Sequence, residues 1–291
     1  MKDIPYISYR SGNPNIKGIE IISMKDLVSR KQHLDHSPEK PHQLDFYSLA
    51  CYTEGETQQL ADFKWYDIIP NTLIFLSKGQ VNAFKFKEDV HGYLVLFTQE
   101  YFEKQLSKLP KNTIVSLFTP QLFSPTMQTS KEATTMQYIK LMYDEYYSET
   151  DVFNKQDVID ALFTLIFSKI EQLKAKQLSE IKDATKLQQF IKFKGLVERD
   201  YTKSRNADYY AAQLGITYKH LNTICKSLID STAKQFIDEL IILEAKRKLI
   251  NSAVKSTELA YDMGFEEPTN FVKYFKKHTG LTPNGFKNNH I

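Results

Sequence analysis

The pattern A-x-x-(L/M)-G-(I/F) occurs twice in the last third of this chain. A repeat constrains a fold harder than a lone motif does, because both copies must build the same local structure. Ala211-Ala212-Gln213-Leu214-Gly215-Ile216 aligns with Ala260-Tyr261-Asp262-Met263-Gly264-Phe265 at an offset of 49 residues. Beyond the turn the offset becomes 50, pairing Leu221 with Phe271, Ile224 with Tyr274, Cys225 with Phe275 and Lys226 with Lys276. Ala233 then falls opposite Pro283 and Phe236 opposite Phe286, so one inserted turn residue explains the change.

Each copy has the physics of a helix-turn-helix. The small Ala lets two helices approach closely, and the Gly turns the chain where a side chain would be strained. Thr217 is a good N-cap for the helix that follows. In that helix Leu221, Ile224 and Cys225 face inward, leaving Lys219, Asn222, Thr223 and Lys226 outward. In the second copy Phe271, Tyr274 and Phe275 pack, while Thr269, Asn270, Lys273 and Lys276 point away. Side chains of these types reach base edges and phosphates. Pro268 lacks a donor and starts its helix. Between the copies, AKQFIDELIILEAKRKLI keeps Phe236, Ile237, Leu240, Ile241 and Leu243 at helical spacing. Eighteen residues at ~1.5 Å each give a rod of about 27 Å, near the roughly 34 Å between successive major-groove faces.

Charge points the same way. Residues 186–291 hold 17 Lys and Arg against 11 Asp and Glu, leaving 21 against 24 in the rest of a chain whose net charge is +3. A basic C-terminal third is the electrostatic footprint of a nucleic-acid-binding module.

On these residues the segment 187–290 resembles the tandem helix-turn-helix domain of AraC/XylS-type transcription regulators. The carriers are LAYDMGFEEPTNFVKYFKKHTGLTP, the linker-helix signature LEAKRKLI, and YYAAQLGITYKHLNTICK. The resemblance implies that Lys219, Asn222, Thr223, Thr269, Asn270 and Lys273 face DNA. Lys273 stands where the family typically has Arg, and Asp230 where the first copy often has Gly. Both departures bear on which DNA sequence is preferred rather than on DNA binding.

The N-terminal part has a different texture. LDFYSLACYTEG, TLIFLSKGQVNAFKF and GYLVLFT, within residues 44–98, are aromatic and branched and are separated by Pro70-Asn71, Lys78-Gly79-Gln80 and Glu88-Asp89. Short strands at this spacing predict a small antiparallel barrel or sandwich. Helical periodicity follows, first in TQEYFEKQLSKL. Met136, Ile139, Tyr143 and Tyr146 then share one stripe, and Ile159, Leu162, Ile166, Ile170 and Leu173 another. Any surplus apolar face there suits pairing between chains. The charged run KAKQLSEIKDA, residues 174–184, reads as the junction between domains. The order of strands is similar to the cupin-like sensor half of many AraC-type regulators, which implies a small effector in the barrel and dimerisation by the adjacent helices. His42, Phe46, Trp65 and Phe84 are the candidate effector contacts, with Trp65, the single tryptophan, read as barrel core or pocket wall.

Other chemistries find little support. Related barrels carry a His-x-His pair and a later His, but Leu44 and Asn82 occupy two of those places here, and His36, His42 and His91 share no metal spacing. No phosphate loop, G-x-S-x-G elbow or H-E-x-x-H pair occurs. The two cysteines suggest no disulfide framework, and the polar start MKDIPYISYRSGNP has no signal-peptide core.

The expected fold is therefore two-domain α+β. Residues 1–180 form a cupin-like antiparallel β-barrel with following helices, for effector sensing and dimerisation. Residues 185–291 form an all-α DNA-binding domain of two helix-turn-helix units joined by a linker helix. The expected function is a cytoplasmic, sequence-specific transcription regulator, an activator in type, with double-stranded DNA, a small-molecule effector, a second copy of the chain and RNA polymerase as partners. It needs no cofactor, metal or membrane and is not an enzyme. The alternatives are a ligand-independent DNA-binding and dimerisation protein, or a cupin-type enzyme with a DNA-binding tail.

Overall fold

A computed structural model describes residues 5–30, 36–106, 124–130, 134–149, 153–178, 184–251 and 255–290. The chain divides into two compact units, Pro5–Glu180 and Ile181–Ile291.

In the first unit the strands are β1 (Tyr6–Ile7), β2 (Ile19–Ser23), β3 (His42–Leu44), β4 (Tyr47–Glu54), β5 (Thr57–Ala61), β6 (Lys64–Ile68), β7 (Thr72–Leu76), β8 (Val81–Phe84), β9 (His91–Phe97) and β10 (Thr126–Gln128). Its helices are α1 (Met24–Arg30), α2 (Gln99–Leu106), α3 (Thr134–Tyr147) and α4 (Lys155–Leu178). The α+β class stands, but the strands do not close into a barrel. They form two five-stranded sheets, in the orders β1-β3-β8-β5-β6 and β10-β7-β4-β9-β2. Neighbours pair antiparallel except β1 with β3, which run parallel.

Both faces of the second sheet are covered. Leu49, Cys51, Leu73, Phe75 and Val95 pack against Ile139, Phe163 and Ile166 of α3 and α4. On the opposite face Ala50, Tyr52, Ile74 and Leu94 meet Ala61 and Phe84 of the first sheet. A strand between two apolar layers has no need of polar alternation, which is why TLIFL in β7 is buried at every position.

Two expectations change here. Trp65 is not core: β6 is an edge strand, and the indole is 38% exposed beneath the Lys85 ammonium, 4.7 Å from its ring centre. The junction also begins later than the charged run suggested. Helix α4 continues through Leu178, and Lys174 is 1% exposed against the Phe75 ring. Burial pulls its ammonium down to about 8. The rest of that run, residues 179–183, lies outside the described residues.

The second unit holds α5 (Ala184–Asp200), α6 (Ala207–Gln213), α7 (Tyr218–Ile229), α8 (Ala233–Asn251), α9 (Ser256–Asp262), α10 (Pro268–Thr279) and α11 (Pro283–His290). The repeat is reproduced element by element. Each copy has a seven-residue helix followed by a twelve-residue one. The extra residue lies in the turn, which spans 214–217 in the first copy and 263–267 in the second. The linker helix α8 is more than a spacer, for it packs against all six other helices of its unit. Phe236, Ile237, Leu240, Ile241, Ile242, Ala245, Leu249 and Ile250 are buried along it, so most of its circumference is core.

Candidate nucleic-acid interface and inter-sheet cavity

The first copy is built by caps at each break. Asn206 caps α6, its side chain accepting from the Asp208 N–H, and Gly215 turns the chain at φ 65°. Thr217 then caps α7 by accepting from the His220 N–H. Helix α7 ends at Asp230, held left-handed at φ 51°. A residue other than Gly pays about 1 kcal/mol or more there, although a short polar side chain eases it.

Leu221, Ile224 and Cys225 are fully buried, and burial pushes the Cys225 thiol up to about 12, which makes it core rather than a reactive thiol. Lys219, Thr223 and Lys226 are exposed as expected. Asn222 is not. It is half-buried, and its side-chain carbonyl accepts from the Ala233 N–H at 2.9 Å, closing the first turn of the linker helix. The Thr223 hydroxyl is also engaged, donating to the Lys219 carbonyl.

The second copy differs in two respects. Its turn glycine is doubly constrained: Gly264 has φ 74°, and a Cβ there would lie 1.9 Å from the Thr202 carbonyl oxygen. Gly215 has open space around it. The outward residues are also less occupied. Thr269, Asn270, Lys273 and Lys276 are exposed, and among the described residues nothing hydrogen-bonds to their side chains. Pro268 opens α10 at its first turn and Gly280 closes it left-handed.

Two residues that the repeat did not single out fix the second copy in place. Arg205 donates to the Gly264 carbonyl at 2.8 Å and lies 3.7 Å from the Phe265 ring centre, tying the loop before α6 to the second turn. Asp238, buried on α8, accepts from the Tyr274 hydroxyl at 2.6 Å and pairs with Lys234. A hydrogen bond to a charged group is worth roughly 1.5–3 kcal/mol, so this contact orients α10 on the linker helix. The readable signal for Asp238 was an acid inside an apolar helical stripe. Nothing in the sequence around Arg205 marks its role.

In the first unit a cavity of about 370 Å³ lies between the two sheets, a size that holds a small organic ligand. His42, Phe46 and Phe84 line it, and Trp65 does not. His42 ends a buried polar chain. The Tyr52 hydroxyl donates to Gln59 Oε1 (2.8 Å), Gln59 Nε2 donates to Asn82 Oδ1 (2.9 Å), and Asn82 Nδ2 reaches His42 Nε2 (3.3 Å). His42 Nδ1 lies 2.9 Å from the Lys40 carbonyl. A carbonyl only accepts, so Nδ1 carries the proton and Nε2 accepts from Asn82. Burial holds the imidazole down to about 4, so the ring is neutral near pH 7. The residue that departs from the barrel histidine pattern, Asn82, is thus the partner of the histidine that remains. The His36 ring comes within 5.0 Å of His42, while His91 is exposed elsewhere. No group of three His, Cys, Asp or Glu able to hold a metal occurs among the described residues.

Residues 210–289 match the family described as helix-turn-helix domain. A helix-turn-helix transcriptional regulator from the 5′ region of cgkA in Pseudoalteromonas carrageenovora is 34% identical over 91 residues. That match covers 31% of this chain and 54% of the relative, so the similarity spans about half of that regulator's length. The transcriptional activator RhaS of Mannheimia succiniciproducens is 19% identical over 246 residues, 84% of this chain and 87% of its own. Among solved structures, fatty-acid-bound ToxT of Vibrio cholerae aligns over 94% of this chain and 95% of its own, at 16% identity and a TM-score of 0.45. No described helix is long and apolar enough to cross a membrane.

Proposed function

We propose that the chain is a helix-turn-helix transcription regulator of AraC type, which reads a specific DNA sequence through its C-terminal domain under the control of a small molecule held in the N-terminal unit. The observation that carries this reading is the pair of reading helices, α7 and α10, each twelve residues long, each closed by a left-handed C-cap and each presenting an exposed basic face. Base edges are contacted from the N-terminal part of such helices. Lys219, Asn222 and Thr223 in the first copy, and Thr269, Asn270 and Lys273 in the second, occupy that part. Lys226 and Lys276 lie in the last turns and serve phosphates.

The inter-sheet cavity supports the effector half of the proposal. An effector acts by binding one state of the protein better than another. The residues 1–180 then sense and pair, and 185–291 bind DNA. Leu141 on α3, with Val158 and Leu165 on α4, are exposed apolar side chains suited to pairing two chains. The protein works in the cytoplasm as an activator, with RNA polymerase as a further partner, and it is not an enzyme. Both cysteine thiols are buried and pushed up by burial, the opposite of nucleophile activation.

The test is selection of bound fragments from random duplex DNA by the full chain. A single motif with two blocks one helical turn apart is expected. Lys273→Ala should relax one block and leave the other intact, with a loss of roughly 1–3 kcal/mol on the preferred site. Unchanged affinity and selectivity in that variant would remove Lys273 from the reading face.

A further inference from the structure

The cavity between the sheets is chemically uneven. Most of its wall is apolar, with Leu44, Phe84, Leu94 and Leu96 facing one another across it. Ser48 also lines it, from β4 at the centre of the second sheet. This side chain is 1% exposed, and its Oγ has no hydrogen-bond partner among the described residues. Strand alternation explains the direction: Ser48 shares a face with Ala50 and Tyr52, which pack between the sheets, while Leu49 and Cys51 face the helices. A buried hydroxyl left unsatisfied is destabilising, and here it points into a space large enough for a ligand.

Charge decides what kind of ligand. The imidazole at the wall is neutral, and both of its nitrogens are occupied. Glu20, which also lines the cavity, is buried, and burial raises its carboxyl above the usual carboxylate range. The cations of the lining, Arg10 and Arg30, are exposed, and Arg30 partly offsets the effect of burial on the Glu20 carboxyl. An anion driven inward would lose its water beside an acid with no buried cation to meet it, which costs far more than burying a neutral oxygen.

We infer that the cavity takes an uncharged, largely apolar ring compound that carries a hydroxyl or carbonyl oxygen, and that Ser48 hydrogen-bonds this oxygen. This inference rests on the effector-sensing reading and names its ligand class. The ring body fills the space between Phe84 and the leucines, and the oxygen supplies the partner that Ser48 lacks. Ser48 is therefore a residue that separates an alcohol or ketone from its parent hydrocarbon, with the Tyr9 hydroxyl as a second buried group of the lining that has no partner among the described residues.

The experiment uses the full chain and three probes on one skeleton: tetralin-2-ol, tetralin and tetralin-2-carboxylate. Binding is measured by calorimetry, and affinity for the selected DNA is measured with and without each probe. The alcohol is expected to bind at least ten-fold more tightly than the other two. Ser48→Ala should bring alcohol and hydrocarbon to near equality, and Ser48→Thr, which keeps the hydroxyl, should restore the preference. Tightest binding of the carboxylate, an alcohol preference that survives in Ser48→Ala, or binding of none of the three would each overturn the inference. If the alcohol binds with the stated preference but DNA affinity does not move, the ligand class stands and the sensing reading falls. If the carboxylate or the hydrocarbon binds best and shifts DNA affinity, sensing stands and the ligand class falls.

Discussion

His42 shows what a single side chain contributes once its neighbours are fixed. Its ordinary value is near 6.5, and in the folded protein burial lowers it to about 4. A depressed histidine gives stability that is complete above the unfolded value and is lost as pH falls toward the folded one. Between pH 7.5 and 4.5 this amounts to roughly 2–3 kcal/mol. Urea unfolding of the full chain, followed by Trp65 fluorescence, should show that loss, and His42→Gln should lack it. An equal loss in the variant would place the pH dependence on another group. Lys174 obeys the same physics, burial lowering its ammonium. Its sequence neighbourhood is charged and predicts a linker, yet Lys174 is buried on α4 against the Phe75 ring. Local composition could not report that burial.

At the scale of elements, the helices of the second unit follow closely from local rules. Turn glycines and apolar spacing mark both copies, with side-chain caps Asn206 and Thr217 in the first and Pro268 at the helix start in the second. What local rules missed is that Asn222 belongs to two elements at once. It sits on the reading helix α7, yet it accepts from the first N–H of α8, beside the reciprocal pair of Thr232 and Gln235 that caps the same helix. Asn222→Ala should lower stability by about 1 kcal/mol in thermal unfolding. Asn222→Asp keeps the acceptor and should hold the melting temperature while altering any contact made by the amide. A wild-type melting temperature in the alanine variant would show that the cap contributes nothing.

At the scale of the whole molecule, the chain combines an acidic-leaning unit holding a cavity with a basic unit of paired helices. Their functions separate in salt. Each phosphate contact adds roughly 0.9 to the slope of log affinity against log salt. Lys226→Ala and Lys276→Ala should each reduce that slope by about 0.9 on any duplex and leave the ranking of sequences unchanged. Titrations on the preferred site and on unrelated DNA, at several salt concentrations, check this. A change in ranking with an intact slope would move these lysines from phosphates to base edges.

The sequence by itself determined the two-copy helical domain, its turn insertion, the Thr217 cap and most of its outward residues. Those features depend on contacts within a few residues, so periodicity and turn chemistry encode them locally. It also determined that strands precede helices in the first part of the chain. Only the tertiary structure decided that those strands make two sheets with a cavity between them, that Trp65 lies at an edge, and that Asn82 meets His42. It alone placed Arg205 against Gly264 and Asp238 against Tyr274. Sheet pairing and packing join residues distant along the chain, and which of many compatible partners meet is fixed by register and burial together rather than by any local pattern.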